Sequence, residues 1–138
     1  MRVFVDTSAF LAILNPTDSN HGAAMVTWEN LVQREDQLIV TNYVLLETIA
    51  LAQRRHGMRS VQGFQRSALP VLSIHWVDAA VHGAGVAALL AANRRQLSLV
   101  DCTSLEIMRH LGIDTVFAFD NHFAEQGFTC IPQQGNGI

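Results

Sequence analysis

Short apolar runs of strand length alternate with helix-patterned segments along this whole chain, and that alternation limits the folds open to it. "VFV" at Val3–Val5 leads into "SAFLAIL", which stops at the turn signal "NPTDSN". "HGAAMVTWENLVQ" has helical spacing, and "LIV" reads as the next strand. "NYVLLETIALAQRRHG" reads as a helix with Asn42 as N-cap and Gly57 as stop. A shorter helix around "RSVQGFQRSAL" precedes Pro70 and the strand-like "VLSIHWV". Then come the Ala-rich helix "DAAVHGAGVAALLAANRR" and the helix "SLVDCTSLEIMRHLG", which ends on Gly112. "TVFAF" is a strand, "NHFAEQG" a helical turn and "TCI" a last edge strand. Strand–helix alternation of this kind implies right-handed crossovers and an α/β fold, with a mostly parallel sheet covered on both faces. Ligands of such sheets bind at the carboxyl ends of the strands, near the point where strand order reverses.

With 138 residues the chain suffices for one domain with a real core. Residues 1–132 are expected to form it, and 133–138, "QQGNGI" at their end, a disordered tail. No apolar run reaches the ~18 residues of a membrane span, and the N-terminus begins as a strand rather than a signal peptide. Cys102 and Cys130 form no CxxC pair, which fits reduced thiols and a cytoplasmic location. The net charge of −3 argues against nucleic-acid binding through general positive charge. All nine non-histidine basic residues are arginine, and lysine is absent.

Four of the twelve acids stand in unusual places. Asp6 and Asp120 each follow an apolar strand. Glu47 shares a helical face with Val44 and Leu51, and Asp101 with Leu97 and Leu105. Asp6 reads equally as the cap of "SAFLAIL", and Asp120 as the cap of "NHFAEQ". Glu47 reads also as the polar end of an imperfect stripe, and Asp101 as the partner of a core arginine. Each bland reading stands alone, but together they do not account for four acids at one end of one sheet. Carboxylates so gathered repel each other and raise each other's pKa, and a divalent cation relieves this. An oxygen-only ligand set suits Mg²⁺ or Mn²⁺ rather than zinc. The hydroxyls of Thr7, Ser8 and Thr103 are placed to hydrogen-bond ligand waters. Setting the four acids aside turns the charge from −3 to +1, so the acidic excess belongs to the site.

"VFVDTSAFLAIL", "TNYVLLETIALAQRR" and "SLVDCTSLEIMRHLGIDTVFAFDNHF" resemble the successive motifs of a PIN domain, most closely the ribonuclease toxins of VapBC toxin–antitoxin pairs. The likeness runs from Arg2 to beyond Phe123 and includes all four acids in order. It implies a three-layer αβα sandwich around a short sheet, usually as a homodimer, with an antitoxin protein and RNA as partners. It further implies that Asp6, Glu47, Asp101 and Asp120 surround one or two Mg²⁺ or Mn²⁺ ions and hydrolyse RNA phosphodiesters. Asp6 and Asp101 are the expected metal ligands, with Asp120 direct or through water. Glu47 would serve a second metal or orient the attacking water. Two other readings within the family are an RNA-binding or scaffold module without catalysis, and a nuclease of RNA processing outside a toxin–antitoxin pair.

Arg54, Arg55, Arg59 and Arg66, with Arg94 and Arg95, are candidates for RNA phosphate contacts, or else a solvated face that meets an antitoxin or a second copy. His56, His75, His82 and His110 lack metal-ligand spacing and read as structural, while His122, two residues after Asp120, reads as a surface or packing residue or else as a phosphate contact. "HGAGVA" follows no strand, so its glycines suit close helix packing rather than a dinucleotide loop. A receiver domain would need a late lysine. A haloacid-dehalogenase-type phosphatase would need an acid where Ser8 stands. A P-loop would need GK[ST]. None of these is present.

Overall fold

A computed structural model of the chain describes residues 1–133, so the expected tail lies, from 134 on, outside the described residues. The chain runs β1 (Arg2–Val5), α1 (Thr7–Leu14), α2 (His21–Gln33), β2 (Gln37–Thr41), α3 (Asn42–His56), α4 (Met58–Ser67), β3 (Leu72–His75), α5 (Ala79–Ala92), α6 (Leu99–Leu111), β4 (Thr115–Phe117), α7 (His122–Glu125) and β5 (Thr129–Ile131). The sheet order is β3-β2-β1-β4-β5, and every pairing is parallel. Helices cover the sheet as an αβα sandwich, as the alternation implied. Among the described residues no helix is long and apolar enough to cross a membrane.

Buried parallel strands must be apolar on both faces, and the sequence meets this at the centre. Val3, Phe4 and Val5 of β1 are fully buried, as are Val116 and Phe117 of β4 and Val40 of β2. Phe10 of α1 meets Phe64 of α4 edge-on at 5.0 Å between ring centroids, and Trp28 of α2 at 6.1 Å. Such pairs add about 0.5–1.5 kcal/mol beyond area burial and tie three helices into one layer. The chain builds β1, β2 and β3 outward on one side of β1, then places β4 and β5 on the other. The strand order therefore reverses between β1 and β4.

The start of α3 differs from expectation. α3 is capped by Thr41, whose hydroxyl accepts from the Val44 amide at 3.2 Å. Asn42 instead accepts from the Val77 amide at 2.7 Å and pins the segment after β3. Gly57, with φ of 82°, ends α3 as the sequence indicated, and Gly112, with φ of 68°, ends α6.

Close packing of α5 on α6 rests on Gly85. A Cβ there would lie 2.6 Å from the Thr103 Cγ2 methyl. Thr103 is fully buried, and its hydroxyl donates to the Leu99 and Val100 carbonyls at 3.0 Å, so the methyl has nowhere to go. Gly83, one half-turn earlier, would meet nothing within 4 Å. In urea denaturation Gly85→Ala should lose about 1–3 kcal/mol through overpacking. Gly83→Ala should gain about 0.5–1 kcal/mol, as helix-interior glycines do.

Candidate active site

The reversal between β1 and β4 is where two of the acids emerge. Val5 pairs with Phe117, and the Asp6 amide continues the ladder by donating to the Phe117 carbonyl at 3.0 Å. Asp6 is 2% exposed and caps α1. Its Oδ2 accepts from the Ser8 amide at 3.1 Å and the Ser8 hydroxyl at 2.6 Å. The same hydroxyl accepts from the Phe119 amide at 3.0 Å. Ser8 thus ties Asp6 to the loop that carries Asp120. Capping and ligand binding do not compete here. Oδ2 takes both Ser8 bonds, while Oδ1 accepts none among the described residues.

Asp101 lies in the first turn of α6, not on a stripe within it as the sequence suggested. Ser98 caps the helix, so Leu97 falls outside it. The pair forms a capping box, with the Asp101 carboxylate accepting from the Ser98 amide at 3.0 Å and the Ser98 hydroxyl accepting from the Asp101 amide at 3.1 Å. No arginine meets Asp101 among the described residues. Asp120 sits in the bend after β4 and does not cap α7, whose cap position is Asn121. Glu47, in the second turn of α3, is half-buried and borders a groove with Tyr43, His82, Leu99 and Val100. A second cleft, of about 450 Å³, opens beside Asp120 and Asn121 and is lined by Thr129 and Cys130. Both cysteines are free.

The acids sense one another. Burial raises the Asp6 carboxyl to about 7, against the pull of the Ser8 hydroxyl, and Asp120 and Asp101 add to the rise. Glu47 is raised first by burial and further by Asp101 and Asp120, with the Thr7 hydroxyl opposing. Burial raises Asp120 too, then Asp101, while His122 works against the rise.

One further side chain belongs to this cluster. Asp101, Asp120 and His122 can each present a ligand atom, all within 4.8 Å of one another. His122 Nε2 is 3.7 Å from Asp101 Oδ2. The available donors are therefore not oxygen alone. Nothing in the spacing "DNHF" marks this histidine as a ligand; only the turn into α7, which swings its ring toward α6, does so. The expected supporting hydroxyls divide. Ser8 fastens the site, and Thr7 Oγ1 is buried beside Glu47 with no completed hydrogen bond among the described residues. Thr103 does not point at the acids, because its hydroxyl proton is committed to its own helix.

The arginines also divide. Arg54 and Arg55 occupy the last turn of α3, about 10 Å or more along the axis beyond Glu47. Arg59 starts α4, and Arg94 pairs with Glu125 at 3.2 Å. All six candidates, Arg66 and Arg95 included, are exposed, and none pairs with the four acids among the described residues.

These residues fit a divalent cation. Among the described residues the acids raise one another with His122 as the charged group set against them, and the buried Thr7 hydroxyl beside Glu47 completes no hydrogen bond.

Comparison with known proteins bears on the fold and the family. The family model described as "PIN domain" matches residues 3–128. The chain is 34% identical over 127 residues to "23S rRNA-specific endonuclease VapC20" of two Mycobacterium tuberculosis strains, covering 91% of this chain and 95% of that protein. The crystal structure of Mycobacterium tuberculosis VapC20, titled as a sarcin-ricin loop cleaving toxin, superposes with a TM-score of 0.78 at 32% identity. The match covers 92% of this chain and 96% of that one. The chain therefore belongs to the PIN-domain family, among its VapC-type members.

Proposed function

We propose that this chain is a divalent-metal-dependent endoribonuclease and the toxin of a toxin–antitoxin pair. The observation that carries the reading is the approach of Asp101 and Asp120 to within 4.8 Å of each other, with Asp6 and Glu47, from two further elements, near enough to feel their charge. Likeness to an rRNA-specific endonuclease supports RNA as the substrate class, with large-subunit rRNA the first to test. Asp6, Asp101 and Asp120 would hold Mg²⁺ or Mn²⁺, with Glu47 beside them. When bound, the cation makes a water more acidic and draws charge from the phosphate.

The residues do the rest by position. Asp6 stays rigid because its backbone lies in the β1–β4 ladder and its Oδ2 is held by Ser8. Glu47 is half-buried with a raised pKa, which suits a group that takes a proton from the attacking water. Thr7, beside Glu47, would donate to that water or to Glu47. Water then displaces one ester oxygen at phosphorus, so no covalent nucleophile is needed. Exposed Arg54, Arg55, Arg59, Arg94 and Arg95 would hold the RNA backbone farther out. A cognate antitoxin, a homodimer and a cytoplasmic site of action complete the reading.

Purified protein should cut large-subunit rRNA with Mg²⁺ or Mn²⁺ present and lose cleavage in EDTA. Asp6→Asn should lower the rate by at least about a hundredfold. Equal cleavage by chelated and mutant protein would leave a catalytically inactive RNA-binding module as the better account. Expressed alone in a bacterium, the chain should arrest growth, and Asp101→Asn should relieve the arrest at equal soluble level.

Stability should follow the raised acids. The folded pKa of Asp6, about 7, exceeds its ordinary 3.8, so the folded state binds the proton more tightly than the unfolded chain. That contribution is fully present below the unfolded value and is lost as pH rises through about 7. Without divalent ions, thermal melts should show Tm falling by about 5 °C between about pH 5.5 and 8. Added Mn²⁺ at the higher pH should restore it, because the cation takes over the proton's task.

A further inference from the structure

His122 lies outside the four-acid pattern yet stands inside the four-acid site. Its ring is 16% exposed, and its Nε2 faces Asp101 Oδ2 at 3.7 Å. That gap is too long for a hydrogen bond, while Asp101 Oδ2 already has the Ser98 amide as a donor at 3.0 Å. On the other side of the ring, Nδ1 is buried with no partner among the described residues. No protein group therefore sets the tautomer, and whatever occupies the Nε2 side decides it. Asp120 completes a triangle with its ligand atom, all three within 4.8 Å. Thr7, 4% exposed, sets a buried hydroxyl beside Glu47 that completes no hydrogen bond among the described residues.

We propose that His122 supplies, through Nε2, a nitrogen ligand to the divalent cation held by Asp101 and Asp120, so that the site takes Mn²⁺ in preference to Mg²⁺. The assignment rests on the metal reading above and deepens it. Mg²⁺ is held through carboxylates and retained waters, whereas an imidazole donor favours first-row transition ions. The 3.7 Å gap is one that a shared cation closes. Ligating histidines usually anchor their second nitrogen to a protein acceptor, which orients the ring and strengthens the bond. His122 lacks that anchor, so the nitrogen sets selectivity more than it sets affinity.

The test is pulsed electron paramagnetic resonance of the full chain loaded with Mn²⁺, beside calorimetric titrations with Mn²⁺ and Mg²⁺. The wild-type spectrum should carry nitrogen coupling from one imidazole, altered when histidine is labelled with the heavier nitrogen isotope. His122→Asn should remove the coupling, weaken Mn²⁺ about tenfold and weaken Mg²⁺ less than about threefold. Mn²⁺ binding with no nitrogen coupling in the wild type would overturn this assignment alone and leave His122 as a charge neighbour of Asp101. Coupling that survives in His122→Asn would move the ligand to another histidine and overturn it equally. Failure of wild type to bind Mn²⁺ at all would overturn the metal reading beneath it. The wild-type spectra decide the matter even where the variant folds poorly.

Discussion

The Ser8 hydroxyl is the joint on which the site depends. It donates to Asp6 and accepts from the Phe119 amide, residues that stand at the ends of two adjacent strands. Strand pairing alone brings Val5 beside Phe117, but Asp120 lies three residues farther on, in a bend that no ladder holds. The Ser8 bond ties that bend to α1. One short side chain thus connects the first of the four acids to the loop that carries the fourth, 111 residues apart as counted from Ser8 to Phe119. A bond from hydroxyl to carboxylate is charge-assisted and short, at 2.6 Å, so it holds best when Asp6 is ionised. The joint is therefore strongest in the protonation state that a bound cation favours.

Two of the acids serve the fold and the site at once. Asp6 caps α1, and Asp101 completes a capping box at α6. Helix N-termini carry partial positive charge, which eases the burial of each carboxylate. That assistance does not suffice, for Asp6 remains raised to about 7 and Glu47 and Asp120 remain raised as well. The remainder is a local excess of negative charge that the protein leaves unneutralised. Packing elsewhere supports it: the fully buried β1 and β4, and the Phe10–Phe64–Trp28 contact beneath α1.

What could be read from the residues follows a physical boundary. The α/β order of elements was legible because apolar runs of three to five residues cannot be amphipathic helices, and the intervening segments ended on glycines with positive φ at Gly57 and Gly112. That Asp101 and Asp120 come together was legible because carboxylates on or beside apolar runs are costly one at a time. Contacts decided by side-chain direction were not legible. Thr41 and Asn42 are both good caps, and only the Val77 amide, 35 residues away, draws Asn42 off that duty. Thr103 stands two residues from Asp101, but helix rotation turns its hydroxyl to its own carbonyls and its methyl to Gly85. His122 stands two residues from Asp120, and there the turn into α7 has the opposite effect. Equal spacing in sequence gave one side chain away from the site and one in it.

Charge explains how such a site can take a polyanion at all. The chain carries −3 overall and no lysine, and several arginines are already engaged. Arg2 donates to the Leu111 carbonyl, Arg34 pairs with Asp36, Arg94 with Glu125, and Arg109 donates to Gln126. Arg54, Arg55 and Arg59 are exposed but stand down α3 or beyond it. Around the acids themselves, a bare site would repel phosphate over a Debye length of about 8 Å. On the proposed metal reading, a dication would reverse the sign of the interaction at the acids and nowhere else. Substrate attraction and catalysis would then share one switch, with a phosphate drawn in where it is to be cut.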